Sequence, residues 1–293
     1  MHTKGTITTV QRLSIHDGPG IRATIFFKGC NLRCKWCHNP ETWRTEPQLQ
    51  FVAGKCIGCG GCVQVCPNGT LTMGGGKPEI NWQSCDACGK CAMECPSGAL
   101  SIVGEVVTAE EVMRRIVPDK PFFDESGGGV TLSGGEPLMQ PAFARDILTL
   151  CRQKGIHTAV ETNLTAQESV IKDLLPVVDL WMCDLKIADA TEHKKWIGTS
   201  NGHIIENLRF LAGSGVQLII RTPVVPGVND TETAVRELRS VVKSLPGAVC
   251  YELLGFHCLG FDKFVQLGMV NLLVHTPQIE KNKLAMLREI VSE

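Results

Sequence analysis

The chain has no surplus of charge: 29 Lys and Arg stand against 30 Asp and Glu, a net −1. That balance leaves no electrostatic footprint for broad nucleic-acid binding. Long hydrophobic runs are also missing. The longest, such as Val177–Leu180 and Val216–Ile220, fall far short of the ~18 residues that span a bilayer. Met1–Val10 is polar and Thr-rich and holds no apolar signal core. No Gly-Lys-Ser or Gly-Lys-Thr occurs, so a phosphate loop is not expected. These absences predict a soluble, cytoplasmic protein with neither nucleic acid nor membrane as partner.

What is present is mostly ordinary. The 293 residues are 43% hydrophobic and 20% charged, as in a globular chain of about two domains. Cysteine is the exception: there are 15, of which eleven lie between Cys30 and Cys95. Disulfide scaffolds of that density belong to short exported chains. Metal ligation is therefore the expectation.

Residues 51–104 hold eight of these cysteines and a repeat. Cys56, Cys59, Cys62 and Cys66, followed by Pro67, recur 29 residues later as Cys85, Cys88, Cys91 and Cys95, followed by Pro96. This C-x2-C-x2-C-x3-C-P run is that of bacterial ferredoxins, in which the fourth Cys of each run ligates the other cluster. Cys56, Cys59, Cys62 and Cys95 are thus expected to hold one [4Fe–4S] cluster. Cys66, Cys85, Cys88 and Cys91 are expected to hold a second. Structural zinc, which favours paired Cys-x2-Cys knuckles, is the alternative. The segment reads as an inserted domain, with 1–50 and 105–293 forming the larger one.

The larger part alternates strand-like and helix-like stretches. Ile21–Phe27, Val130–Ser133, Ile156–Glu161, Val177–Leu185, Val216–Val225 and Cys250–Leu254 read as strands. Helices are expected at Ala142–Lys154, Ile204–Ala212 and residues 231–245, and after two capping boxes, Thr108 with Glu111 and Thr165 with Glu168. Parallel β-α units follow, as an open doubly wound sheet or a full or partial barrel. In each, chemistry gathers at the carboxyl ends of the strands. Gly29–Cys37, Ser133–Pro137, Glu161–Asn163, Asp184–Lys186, Arg221 and His257 fall there.

Cys30, Cys34 and Cys37 form a C-x3-C-x2-C loop after a strand. Three close thiolates without a fourth suit a cluster with one iron left open for substrate, as an open position does in catalytic zinc sites. The loop, with Trp36 inside it, resembles the signature of radical S-adenosylmethionine enzymes. The stretch Ser14–Arg22, containing Asp-Gly-Pro-Gly-Ile-Arg, and the insert placed directly after the loop resemble the activating enzymes of glycyl-radical enzymes.

The resemblance implies an α/β fold, a partial (β/α)6 TIM-type barrel with an inserted ferredoxin-like 2[4Fe–4S] domain. It implies three [4Fe–4S] clusters, S-adenosylmethionine as cofactor, and its reductive cleavage to methionine and a 5′-deoxyadenosyl radical. That radical takes hydrogen from a backbone glycine of a partner enzyme. A flavodoxin or ferredoxin is the implied electron donor, and the chain is expected to be a monomer. By the same resemblance, Gly134, Gly135 and Glu136 receive the cofactor's ammonium group. Asp184 and Lys186 face its charged ends, Trp36 packs on the adenine, His257 lies near the adenosyl group, and Arg221 lines the site. Asp17 and Arg22 face the incoming peptide, and Glu161, Thr162, Met182 and Asp184 form a monovalent-cation site.

Asn163-Leu164 stands where a small residue and Gly are usual, Gly255-Phe256 where Pro-aromatic is, and Cys258 where Arg is. Cys151, Cys183 and Cys250 read as packing residues. Two other readings are a radical S-adenosylmethionine enzyme of the sulfatase-maturation type and a ferredoxin-type electron carrier.

Overall fold

A computed structural model describes residues 3–247 and 249–292. Its strands in chain order are β1 (Lys4–Ser14), β2 (Arg22–Phe27), β3 (Gln48–Phe51), β4 (Leu71–Gly74), β5 (Lys77–Ile80), β6 (Leu100–Val103), β7 (Glu105–Thr108), β8 (Gly129–Gly134), β9 (His157–Thr162), β10 (Leu180–Asp184), β11 (Gln217–Val224) and β12 (Cys250–Gly255). Eight of these form one sheet in the order β12-β11-β10-β9-β8-β2-β1-β7. The run from β2 to β12 is parallel throughout. β1 is antiparallel to both β2 and β7.

Each parallel pair is joined by helix, which is what parallel pairing requires. Pro141–Gln153 connects β8 to β9, Glu168–Leu174 connects β9 to β10, and Glu232–Lys243 connects β11 to β12. Ala190–Ile197 and Gly202–Gly213 together connect β10 to β11. The strands are buried along almost their whole length: in β8, Val130, Leu132 and Thr131 are all at 0% exposure. Six parallel strands whose sheet ends at β12 without closing are consistent with a partial barrel.

The six expected strands are all present, shifted by at most three residues at an end. The Thr-rich start is itself a strand, β1, which covers β2 on one side and exposes its other face. The capping box of Thr108 and Glu111 forms in full: Glu111 N–H donates to Thr108 Oγ1 at 3.2 Å and Thr108 N–H to Glu111 Oε2 at 2.7 Å. That of Thr165 and Glu168 does not form. The helix starts at Glu168 behind Gln167 with no side-chain cap. Asn163 competes for Thr165, accepting its N–H at 3.0 Å and its hydroxyl at 2.6 Å.

Between β3 and β6, which pair antiparallel, the chain makes the β4–β5 hairpin and two short helices, Gly61–Val65 and Lys90–Met93. The sequence repeat is also a backbone repeat. Each helix is entered through a left-handed glycine, Gly60 at φ 75° and Gly89 at φ 78°, where a side chain would be strained. Leu49, Cys62, Leu71, Cys91 and Leu100 form a small core of their own, separate from the one beneath the large sheet.

Candidate active site

A cavity of about 220 Å³ opens at the carboxyl ends of β2, β8, β9 and β10. Cys30, Cys34 and Cys37 line it together with Trp36, Gly134, Gly135, Glu161, Thr162, Asp184 and Lys186. The cysteine loop leaves β2 through Gly29, whose N–H donates to Thr42 O at 2.7 Å; the loop's Cys30 N–H donates to Trp43 O at 3.4 Å. Burial pushes the Cys30 thiol up to about 11, and it raises Cys34 and Cys37 too. Iron must therefore displace protons to bind there. Lys186 offsets part of that cost at all three sulfurs.

Lys186 Nζ donates to Asp184 Oδ2, and both lie mostly covered, 12% and 21% exposed. Burial works against the ammonium charge, but the charge and hydrogen bond of Asp184, together with the Cys34 and Cys30 sulfurs, outweigh it and hold Lys186 protonated. One positive and one negative group thus stand together beside three thiols. Trp36 is buried against Leu32, Ile187 and Phe256.

Gly134 and Gly135 line the cavity, but their first requirement is closeness to β2. A Cβ on Gly134, which has φ +104°, would lie 2.4 Å from Phe27 N, and one on Gly135 would lie 2.2 Å from Gly29 O. Glu136 departs from expectation. Its side chain is 1% exposed and both oxygens are taken: Oε1 accepts from Leu138 N–H at 2.9 Å and Thr162 Oγ1 at 2.8 Å, Oε2 from Asn163 N–H at 2.7 Å. Burial raises its carboxyl to about 7, against the pull of these donors. Glu136 therefore ties the β8 loop to the β9 loop from below, and its carboxylate does not face the cavity.

Arg22 also departs. It is fully buried, with Nε donating to Thr131 Oγ1 at 2.6 Å and its two terminal nitrogens donating to Pro19 O and Val130 O. No face of it is free for a peptide; it braces the Asp17–Gly20 loop from inside. Asp17 is only partly covered. Its Oδ2 accepts from Ser14 Oγ at 2.5 Å and Thr24 Oγ1 at 2.7 Å, and its carbonyl from Thr131 Oγ1 at 2.7 Å.

Glu161 accepts from Ser133 Oγ at 2.5 Å and pairs with Arg221 at 3.4 Å; Arg221 in turn reaches Glu252 at 3.2 Å. Arg221 is thus committed to two carboxylates. Burial, followed by the nearby Asp184 charge, raises the Glu161 carboxyl. Met182 is buried beside Ala159 and Leu180, and a Cβ on Gly18 would sit 3.5 Å from its methyl. Its side chain does not line the cavity.

His257 stacks on His38 at 4.2 Å with 6° between ring planes, and His38 Nε2 contacts His257 O at 2.6 Å. The Nδ1 of His257 is buried with no hydrogen-bond partner. The sequence reading missed His38. Its one signal was adjacency to Cys37. Asn163, placed at a strand end by its position but given no role there, has its amide 3.8 Å from Cys30 Sγ.

In the insert, one small cavity is lined by Cys56, Cys59, Cys62 and Cys95, and another by Cys66, Cys85, Cys88 and Cys91. Among the described residues, no three His, Cys, Asp or Glu converge closely enough for a single metal ion. Cys151 and Cys183 are buried in the main core, while Cys250 and Cys258 are exposed. No helix among the described residues is long and apolar enough to cross a membrane.

A parallel α/β sheet with three cysteines at its strand ends defines a class, and comparison with known proteins bears on it directly. The model of the radical SAM superfamily matches residues 24–238, so the chain belongs to that superfamily. Within it, the benzylsuccinate synthase activating enzyme of Thauera aromatica is 42% identical over 269 residues, covering 89% of this chain and 81% of that one. The choline trimethylamine-lyase activating enzyme of Oleidesulfovibrio alaskensis is 40% identical over 274 residues, covering 90% and 87%. The chain is a member of the family of glycyl-radical enzyme activating enzymes. A radical SAM methyltransferase from Sphaerobacter thermophilus, 15% identical, shares the fold with a TM-score of 0.51 over 71% of this chain and 59% of that one. Membership implies a [4Fe–4S] cluster and S-adenosylmethionine, and it sets aside the electron-carrier reading.

Proposed function

We propose that Cys30, Cys34 and Cys37 hold a [4Fe–4S] cluster with one open iron for S-adenosylmethionine, and that the chain activates a glycyl-radical enzyme by taking hydrogen from one backbone glycine. The observation that carries this reading is the cavity itself: three thiols, without a fourth cysteine among its described lining residues, beside the Asp184–Lys186 pair. When bound, the cluster and cofactor supply reductive cleavage of the sulfonium to a 5′-deoxyadenosyl radical.

The chain's own residues do the positioning. Lys186 offers a fixed positive charge to a carboxylate and Asp184 a negative one to an ammonium. Trp36 gives an apolar wall, and the orphaned Nδ1 of His257 fits a polar group on the ligand. A monovalent cation at Glu161, Thr162, Met182 and Asp184 would relieve the repulsion between the two carboxylates. Asp17, reaching inward to Thr24, suits contact with an entering peptide.

Residues 51–104 form, in this reading, a ferredoxin-like domain with two further [4Fe–4S] clusters. Support comes from the two cavities, each lined by one crossed set of four cysteines. Cys59 and Cys88 are exposed, which suits docking of a flavodoxin or ferredoxin. So many ligand thiols need a reducing compartment such as the cytoplasm.

The test is anaerobic reconstitution. The expected result is about twelve irons per chain, release of 5′-deoxyadenosine on reduction, and a glycyl radical seen by electron paramagnetic resonance after mixing with the partner. Candidate partners are glycyl-radical enzymes of the kinds that the relatives' names specify. Cofactor cleavage with no radical on any such enzyme would refute the reading.

A further inference from the structure

The second large cavity, about 450 Å³, lies where the insert meets the cysteine loop. Arg33 and Trp43 line it from the loop side, and Trp82, Cys85, Asp86 and Ala87 from the insert. Trp43 also touches the catalytic loop directly. Its carbonyl accepts from Cys30 N–H at 3.4 Å. Arg33, which packs on its ring, donates to Cys30 O at 2.6 Å.

Trp43 is held in place on two sides. The Arg33 guanidinium lies 5.3 Å over its ring, and Phe264 meets it edge-on at 5.6 Å and 87°. Phe264 belongs to the short helix Asp262–Gln266, whose Gln266 bonds Gln50 at 2.7 Å. Two residues on, a Cβ at Gly268 would lie 2.2 Å from the Trp82 ring. One C-terminal segment therefore grips both Trp43 and the insert. Of the eight cysteines in the insert, Cys85 is the one among the lining residues of the second large cavity.

We propose that Trp43 is the positioning residue that couples the insert to the catalytic cysteine loop, and that the set Cys66, Cys85, Cys88 and Cys91 is the one that delivers electrons across it. The inference rests on the cluster reading above. One electron leaves the reduced group on that set and arrives at the group on Cys30, Cys34 and Cys37. An external one-electron donor of the flavodoxin or ferredoxin class replaces it. No bond forms or breaks and no proton moves.

The test compares holoprotein carrying Trp43→Phe, Trp43→Ala or Gly268→Val with the unaltered chain. Trp43→Phe keeps a ring between Arg33 and Phe264. In that variant the catalytic cluster should be reduced at close to the unaltered rate. Trp43→Ala and Gly268→Val should each slow its reduction by a protein donor several-fold, read by rapid-freeze paramagnetic resonance. Reduction by a small photogenerated reductant should keep its rate. Gly268→Val leaves Trp43 itself intact, so a misfolded Trp43→Ala protein would not end the test. Unchanged rates in both Trp43→Ala and Gly268→Val would overturn the proposal. Wild-type protein with about four irons would instead refute the cluster reading on which it rests.

Discussion

In the insert, Cys56, Cys59 and Cys62 lie within seven residues, as do Cys85, Cys88 and Cys91. The small core around them has five buried apolar members, and two of these, Cys62 and Cys91, are themselves cysteines. The strand-end cavity is built the other way. Its three cysteines are local too, but the groups that shape it come from β8, β9, β10 and β11, and a large core stands beneath it. In one region the cysteines are part of what holds the fold. In the other, the fold exists first and presents the cysteines.

The largest effects should separate the two regions chemically. Cys34→Ala should abolish cleavage of S-adenosylmethionine while leaving in place the two clusters proposed for the insert. Cys59→Ala should leave the catalytic loop able to bind the cofactor, seen as a changed paramagnetic resonance signal on its addition. If Cys59→Ala protein stayed folded yet lost cofactor binding, the two regions would not be separable.

Metal removal should break the comparison physically. A site that contributes to folding takes its stability with it when the metal leaves. Chelation is therefore expected to raise hydrogen exchange across residues 56–95, while β8, β9 and β10 stay protected under their own core. Equal loss of protection in both regions would show that the barrel also depends on iron.

Glu136 tests the barrel side without any metal. Glu136→Ala would leave Leu138 N–H, Asn163 N–H and the Thr162 hydroxyl without their acceptor. At about 1–3 kcal/mol for each orphaned buried group, the loss should reach about 3 kcal/mol or more. Urea unfolding of the metal-free protein measures it. A loss below about 1 kcal/mol would mean that water fills the gap left by the carboxylate.

The same contrast governs what could be read from the sequence. Cysteine spacing and strand periodicity are local, and both the cysteine sets and the six parallel strands follow from them. Glu136, Arg22 and the glycines at 134 and 135 sit in motifs equally visible, yet their work depends on partners far along the chain. Glu136 bonds the start of the β9 loop, and Arg22 bonds β8. Nothing within a few residues of either says so. His38 lies beside a cysteine, but its stacking partner is 219 residues away. β1 was hidden because only one of its faces is covered, which leaves a polar stretch.

The smallest effect tests that rule inside the barrel domain, where one local motif occurs twice. Thr108 and Thr165 both precede a Glu by three residues, and only Thr108 caps a helix. Thr108→Ala should cost about 1 kcal/mol. Thr165 spends its hydroxyl on Asn163 at 2.6 Å and Asn31 at 2.5 Å, both next to the cysteine loop. Its replacement by Ala should cost less than Thr108→Ala, since Thr165 caps no helix, and should be felt instead in cofactor affinity. Paired urea unfolding curves with equal slopes decide it. Equal losses for the two variants would mean that the Thr165 hydroxyl supports the helix after all, and that the local rule holds where a long-range partner was given the credit.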